Sequence, residues 1–414
     1  MKKTLFLIIT GVLTLLTSCK PNPNEATNIT GVEYYYIQRY HPSKATANEY
    51  YLILNDAIDS IKNDIEIRRG EDSLIYYWSS YIPMDYLRVN EHEIILGTHF
   101  TTDMSGTDTV TTQNPYYCID GVRKEIYFDE KVSGIYIIEE DGNYYFILEG
   151  KTVNYITPFY VSENGGTPKF LCNIPHYLHG GTATRIRNIR KFGNDYYFVG
   201  GSDNRPAFIK SGESMIQLTT HPSYGYAYEI LLIDDKEYIF GFHNDTARIW
   251  VDGEMHTVPL EAEYSQSKVK CAKKIGDDIY MGGEVNGKPA IWKNQKMIGR
   301  YSQLDCSSWI GEFIGKYKQG CVANFEVIGD KIYSIAFLYN TMQNVYPCAI
   351  EWDFSGEEVV ANMYYELPDL IKENEVEWVD YGNTKQYWFE NTSDEGAHIW
   401  NANYSFPRIN LLKK

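Results

Sequence analysis

The chain has 414 residues, with 55 acidic against 38 basic side chains and a net charge of −17. That balance excludes a nucleic-acid partner, which needs clustered Lys and Arg, and argues against docking on anionic lipid head groups. An apolar fraction of 43% beside 22% charged residues describes a folded body, and the length suits two or three domains or one large repeat architecture.

The N-terminus reads Met1-Lys2-Lys3, an apolar run at 5–16 too short to span a bilayer, and then Leu16-Thr17-Ser18-Cys19. A basic start, a short apolar stretch and small residues before a cleavage point predict an export signal over 1–18. Its removal takes away Lys2 and Lys3 and leaves the mature chain still more acidic. The Leu-Thr-Ser-Cys ending resembles the bacterial lipobox, whose cysteine becomes the lipidated first residue. The resemblance implies a lipid anchor on Cys19. Lys20 stands where the enterobacterial inner-membrane retention signal has Asp, which implies the outer membrane, on its periplasmic or its surface leaflet. Residues 19–30 then comprise the lipidated cysteine and a Pro- and Asn-rich flexible tether.

A repeat organises the remainder, 31–414. Three segments align without gaps: Asn194-Asp195-Tyr196-Tyr197-Phe198-Val199-Gly200, Lys236-Glu237-Tyr238-Ile239-Phe240-Gly241 and Asp277-Asp278-Ile279-Tyr280-Met281-Gly282. Each is followed by a second apolar strand, Ala207-Phe208-Ile209-Lys210, Ala247-Arg248-Ile249-Trp250 or Ala290-Ile291-Trp292-Lys293, and then by a tight turn at Ser211-Gly212, Asp252-Gly253 or Asn294-Gln295. Weaker copies of the turn occur at Arg69-Gly70, Asp120-Gly121, Asn164-Gly165 and Ser355-Gly356 and near Asn401–Asn403. Inner strands are expected before the Tyr-rich ones, at 185–191, 228–233, 269–275, 322–328 and 376–381. The 37 tyrosines favour strands over helices, and only 367–375 has the pattern of a short helical turn. Eight copies at this spacing predict an all-β fold, a single β-propeller of four-stranded blades, with eight blades preferred and seven the alternative if the terminal copies share one sheet. Trp250, Trp292, Trp352 and Trp400 hold equivalent strand positions, as do Tyr197, Tyr238, Tyr280 and Tyr333, and packing between neighbouring blades accounts for them.

The lipobox, a Tyr-rich strand ending in Gly-Gly at Gly200-Gly201 and Gly282-Gly283, and the Ala-Ile-Trp-Lys-Asn run at 290–294 together resemble the kelch-like propeller lipoproteins of Bacteroidota. The resemblance covers nearly all of 31–414 and is strongest over 182–300. It implies fold and location but no chemistry. Neither the Trp-Asp ending of WD repeats nor a sialidase-type Ser-x-Asp-x-Gly-x-Thr-Trp box is present; Ser105-Gly106-Thr107-Asp108 matches the latter only superficially.

With strands A to D numbered outward from the propeller axis, A–B and C–D turns share one face, and B–C and D–A connections share the other. The first face has minimal turns, such as Gly193-Asn194-Asp195 and Asp234-Asp235-Lys236. Long connections are expected on the second, at 100–115, 172–182, 219–226, 302–319, 338–347 and 364–374. Long loops on a rigid scaffold are where binding usually resides. These carry His99, Phe100, Tyr155, His176, Tyr177, His179, Tyr224, Tyr226, Trp309, Tyr339, Tyr346, Tyr364 and Tyr365. Tyr177, Tyr226, Trp309 and Tyr346 come from four repeats and are the expected stacking surface for a glycan or protein ligand, with His176 and His179 beside them.

Catalytic signals are weak. His176-x-x-His179 lacks a third ligand unless His221 of the next repeat supplies it, so no metal and no cofactor are expected. Asp103, Asp108, Asp203, Asp245 and Glu284 are candidates for a glycosidase pair. Gly-x-Ser-x-Gly and Gly-Lys-Ser/Thr are absent. Among the cysteines, Cys306 and Cys321 flank one long loop and are the candidate bridge; Cys118, Cys271, Cys321 and Cys348 sit in or beside strand-like runs, the setting of buried free thiols. The expected function is ligand binding without catalysis by an envelope lipoprotein, with a propeller glycoside hydrolase or lyase, or a scaffold in an envelope complex, as alternatives.

Overall fold

Two-residue turns organise the chain into antiparallel hairpins. Positive φ occurs at both central residues of Asp120-Gly121, Asp141-Gly142, Asp203-Asn204, Asp234-Asp235, Asn244-Asp245, Asp252-Gly253, Asn286-Gly287 and Asn294-Gln295. This backbone matches the twist of paired strands, and Asn, Asp and Gly adopt it at least cost. A computed structural model describes residues 75–301 apart from 90–91, 104–109, 176–183 and 221–222, then 319–339, 345–354 and 360–366, with further strand segments at 32–40, 49–54, 57–61, 66–69, 380–381, 384–385, 398–399 and 410–413.

The hairpins form seven sheets of four or five strands. Blade 1 takes its inner strand from the C-terminus, Asn410–Lys413, and the others from Val32–Tyr40, Glu49–Leu54 and Ala57–Ile61. Blade 2 consists of Ile75–Val89, His92–Asp103, Val110–Ile119 and Val122–Glu125, with Glu66–Arg69 added beside the first half of its long inner strand. Blade 3 is Val132–Glu140, Asn143–Gly150, Ile156–Glu163 and Lys169–Pro175; blade 4 is Arg185–Phe192, Asp195–Ser202, Arg205–Lys210 and Ile216–Gln217, with His398–Ile399 paired parallel to the free edge of its inner strand. Blade 5 is Gly225–Ile233, Lys236–His243, Thr246–Val251 and Glu254–Thr257, and blade 6 is Ser267–Ile275, Asp278–Val285, Lys288–Lys293 and Lys296–Arg300. Blade 7 is Gln319–Ile328, Lys331–Tyr339, Val345–Asp353 and Val360–Glu366. Inner strands of successive blades touch from blade 2 to blade 7; blade 7 meets Asn410–Lys413, and Val32–Tyr40 meets blade 2. The fold is a β-propeller.

Of the two blade counts, the described residues carry seven, because the terminal segments share one sheet. The first turn copy, at Arg69, follows the added strand of blade 2 and opens no blade of its own. The eighth copy, near Asn401–Asn403, and Trp400 lie outside the described residues. Of the inner strand expected at 376–381, only Asp380–Tyr381 is a strand, paired with Thr384–Lys385 in a two-stranded ribbon; Asn410–Lys413 takes the inner place in blade 1.

Each inner strand of blades 2 to 7 contains one extra residue relative to its neighbour. The register skips Met84, Ile135, Arg187, Tyr228, Lys270 and Ala323 in turn. Such β-bulges break side-chain alternation and sharpen the twist. The residue after each bulge is Asp85, Tyr136, Asn188, Glu229, Cys271 or Asn324, and several of these are wired together. Asp85 accepts from Tyr86 N–H at 3.0 Å and from Ile137 N–H of blade 3 at 2.8 Å. Tyr136 donates to Asn188 Oδ1 at 2.9 Å, and Asn188 Nδ2 donates to Glu229 Oε2 at 3.0 Å. Glu229 also accepts from Ile230 N–H at 3.0 Å and from Arg190 Nε and Nη2 at 2.8 and 2.6 Å. This polar belt crosses from blade 2 to blade 5 and satisfies backbone groups that the bulges remove from the ladder.

Between blades the contacts are apolar. Trp250, Trp292 and Trp352 are all fully buried. Trp250 packs with Tyr197, Val199 and Phe208 of blade 4, Trp292 with Phe240 and Ile249 of blade 5, and Trp352 with Cys271 and Ile291 of blade 6. The interblade role expected for the tryptophans holds for these three. Cys118, Cys172 and Cys271 carry free thiols, and burial pushes the Cys172 thiol up to about 12. Cys321 is fully buried at the start of the blade 7 inner strand, and its candidate bridge partner Cys306 lies outside the described residues.

Candidate ligand-binding face

Inner strands begin on the second face, so their first residues meet there with the ends of the B strands. The strand boundaries retain the asymmetry between faces, but its source differs from expectation. The B–C connections of blades 4, 5 and 6 are the two-residue turns Asp203-Asn204, Asn244-Asp245 and Asn286-Gly287. Extra length comes from D–A connections and from the hairpins of blades 2 and 7. Those hairpins are also more regular than expected: the 100–115 connection shrinks to 104–109 and the 338–347 connection to 340–344, because both strands continue outward in register.

This lengthening relocates several candidates. Tyr346 lies on strand C of blade 7, paired with Leu338. His99 and Phe100 lie on strand B of blade 2; the His99 ring stacks on Tyr81 at 3.9 Å, and its Nδ1 lies 2.8 Å from Glu125 Oε1. Tyr226 is the largest correction. It is only 5% exposed and lies within the inner strand of blade 5, because the pairing with strand B already begins at Gly225, opposite His243, and places Tyr226 opposite Phe242. Tyr224 and Tyr155 are exposed on this face, at 53% and 65%. His176, Tyr177, His179, His221 and Trp309 lie outside the described residues.

Tyr226 belongs to a cluster of rings and cations contributed by three blades. Arg187, the bulge residue of blade 4, lies 4.4 Å from the centre of the Tyr226 ring and 5.4 Å from that of Tyr228. Tyr228 and Lys270 are the bulge residues of blades 5 and 6. The Lys270 ammonium lies 4.4 Å from the Tyr228 ring centre and donates to the Tyr228 hydroxyl at 3.1 Å. Phe242 stacks on Tyr228 at 6.2 Å, with Lys268 5.1 Å from its centre. Tyr224 closes the outer side, edge-on to Tyr226 at 5.5 Å and Phe242 at 5.4 Å. Arg187, Tyr226, Tyr228 and Lys270 are buried. Burial works against the Lys270 charge, but Tyr228 and Glu284 outweigh it and leave its pKa above the ordinary value.

The glycine pair of the repeat is explained here. A methyl at Gly200 would fall 1.9 Å from Arg185 O across the bulge, and one at Gly201 would fall 2.4 Å from the Tyr226 ring. Gly241 and Gly283 meet the same inner-strand backbone at 2.0 and 1.9 Å. The glycines allow the B strand to close on the bulged A strand, and Gly201 makes room for Tyr226.

Among the acidic candidates, Asp245 and Glu284 both bind Lys268, at 3.6 and 3.1 Å, so Lys268 links them as an ion pair. Asp203 sits in a tight turn with a buried Oδ1 lacking a hydrogen-bond partner. Asp103 ends strand B of blade 2, and Asp108 lies outside the described residues. No group of three or more His, Cys, Asp or Glu side chains suited to a metal occurs among the described residues.

Sequence reasoning missed Arg187, Lys270 and Glu149. Arg187 lies among Arg185, Arg190 and Lys191, and Lys270 among Lys268, Lys273 and Lys274, so neither stood out in its strand, and a bulge cannot be read from a regular alternation. Glu149 lies near the end of strand B in blade 3, and burial pushes its carboxyl up from 4.5 to about 8. The unfolded chain ionises near pH 4.5 while the folded chain holds the proton, so this carboxyl's favourable contribution is present at pH 4 and is lost as pH rises to about 8. Glu149→Gln is expected to match the wild type in melting temperature at pH 4 and to exceed its stability by about 1–3 kcal/mol at pH 8, as measured by calorimetry at the two pH values. Equal stability at both would remove the buried-carboxyl account.

No family model matches the chain, and no curated protein matches it. Solved structures do. The β-propeller domain of the Trilobed protease from Pyrococcus furiosus is 11% identical over 81% of this chain and 98% of that one, with a TM-score of 0.35. A GH32 β-fructofuranosidase of Bombyx mori is 11% identical over 82% of this chain and 84% of that one, with a TM-score of 0.29. A prolyl endopeptidase is 8% identical over 83% of this chain, which spans 58% of the endopeptidase, with a TM-score of 0.32. No site residue is carried across from any of them.

Proposed function

We propose that the chain is a cell-envelope lipoprotein, anchored through Cys19 and a tether at 20–30, that binds a glycan or protein ligand without catalysis on the face holding its D–A connections. The observation that carries this reading is the convergence of Tyr224, Tyr226, Tyr228, Phe242, Arg187 and Lys270 from three blades at that face. Rings with polar tips suit sugar stacking and protein hot spots alike. The described residues contain no helix long and apolar enough to cross a membrane, and in this reading the attachment is covalent lipid.

The test is a glycan array probed with the full chain in detergent, followed by Tyr224→Ala. Tyr224 is exposed, so its loss should leave the fold intact and weaken binding by about 1–2 kcal/mol if it is an anchor. A hit whose affinity ignores Tyr224→Ala and Tyr155→Ala together would move the site off this face. For the anchor, Cys19→Ala is expected to shift the protein from the membrane to the soluble fraction on ultracentrifugation; a variant still sedimenting with membranes would contradict lipidation.

Glycoside hydrolysis is the second reading, and Glu149 is what favours it. A general acid needs a raised pKa near the working pH. Turnover of any array hit, abolished by Glu149→Gln, would replace binding with catalysis.

A further inference from the structure

Two inner strands carry an extra strand on the edge that faces the propeller axis. In blade 2, Glu66–Arg69 pairs antiparallel with the first part of Ile75–Val89, from Glu66 opposite Ser79 to Arg69 opposite Ile75. In blade 4, His398–Ile399 pairs parallel with the start of Arg185–Phe192, His398 opposite Arg185 and Ile399 opposite Ile186. The first is a local hairpin. The second returns from beyond blade 7, so no short turn fixes it and the edge itself holds it. Both lie at the beginning of an inner strand, the end that opens on the face of the D–A connections. The axial edges of blades 3, 5, 6 and 7 carry no further strand among the described residues. An open edge presents a row of N–H and C=O groups, a template for another strand.

We propose that the axial edge of blade 4 at Arg185–Ile186 is an acceptor site for an extended peptide segment of a partner protein, and that His398–Ile399 is its resident occupant, displaced when the partner adds. The inference rests on the ligand-binding reading above and names the partner class as a peptide strand. The resident segment itself shows that the edge has room for a backbone. Its two paired residues are a small hold, helped by being tethered to the same chain. A partner strand that pairs over more of the edge gains hydrogen bonds the resident lacks. In strand addition the main chain supplies affinity and alternate side chains supply specificity. The resident sequence, Ala397-His398-Ile399-Trp400, points to a partner segment rich in apolar and aromatic residues. A glycan has no N–H and C=O groups repeating at strand spacing and does not match this edge.

The test is hydrogen–deuterium exchange and fluorescence anisotropy on the full chain in detergent, with an end-labelled peptide of residues 394–403 as the probe. His398→Pro combined with Ile399→Pro removes the amide hydrogens of the resident and blocks its pairing. In this double variant, exchange at 184–188 should rise at least about tenfold. The probe should bind it at least about tenfold more tightly than it binds the wild type, since no tethered competitor remains. A probe with proline at the same two positions should bind neither protein. In the wild type, saturating probe should speed exchange at 398–399, a measurement that stands even if the double variant fails to fold. Unchanged exchange at 184–188 in a double variant with native near-UV circular dichroism, equal or absent probe binding by that variant, binding of the proline probe, or unchanged exchange at 398–399 under saturating probe would each overturn the proposal. Should the probe fail while Tyr224→Ala still weakens a glycan hit, the ligand-binding reading stands and the strand-acceptor inference alone falls.

Discussion

Trp292→Ala is expected to destabilise the propeller by about 3–5 kcal/mol, among the largest effects of any single substitution. Trp292 is fully buried and packs strand C of blade 6 against Phe240, Ala247, Ile249 and Val258 of blade 5. Removing it leaves a cavity between two rigid sheets, and neither can collapse into it without disturbing its other neighbour. Phenylalanine separates packing from hydrogen bonding. Trp292 Nε1 is buried without an acceptor, whereas Trp352 Nε1 donates to Ser334 Oγ at 2.8 Å. Trp292→Phe therefore loses ring volume alone, and Trp352→Phe also strands a buried hydroxyl, adding about 1–3 kcal/mol. Chemical denaturation of the two variants reads the difference; a Trp292→Phe variant less stable than Trp352→Phe would refute this ordering.

Glu229→Ala is the second large effect, at about 3 kcal/mol, the lower end for breaking a buried ion pair. Glu229 is 3% exposed and receives both prongs of Arg190, the amide of Asn188 and the backbone of Ile230. Its removal strips four hydrogen bonds at the join of blades 4 and 5. The Arg190 side chain is 38% exposed, so water hydrates the abandoned guanidinium and holds the cost at that lower end. Glu229→Gln keeps an acceptor for Ile230 and should fall between the two in denaturant midpoint. A midpoint for Glu229→Ala equal to the wild type would show that the belt does not support the inner ring.

The repeat was legible because it is local. Asp252-Gly253 and Asn294-Gln295 announce hairpins within a few residues, and Trp250 and Trp292 recur at the same distance before them. Blade number was less legible, because it depends on which sheet receives residues 410–413, a pairing between the two ends of the chain that no local pattern encodes. The face was legible from connection lengths. Its side chains were only partly so: Tyr224 is where the sequence places it, but Tyr226 is one residue inside a strand, and one residue decides between an exposed ring and a buried one. Arg187, Tyr228 and Lys270 escaped because the bulge that brings them together is visible only in the pairing of two strands.

The bulges also bear on how such a protein diversifies. At Met84, Ile135, Arg187, Tyr228, Lys270 and Ala323 the same backbone step carries thioether, aliphatic, guanidinium, phenol, ammonium and methyl groups. Two-residue turns recur along the chain and the buried strand C tryptophan recurs in blades 5, 6 and 7, while these six positions differ. The backbone step is thus compatible with side chains of very different size and charge, from the ammonium of Lys270 to the methyl of Ala323. Blades 2 to 7 share one backbone device and differ in the chemistry each carries on it along the inner strand.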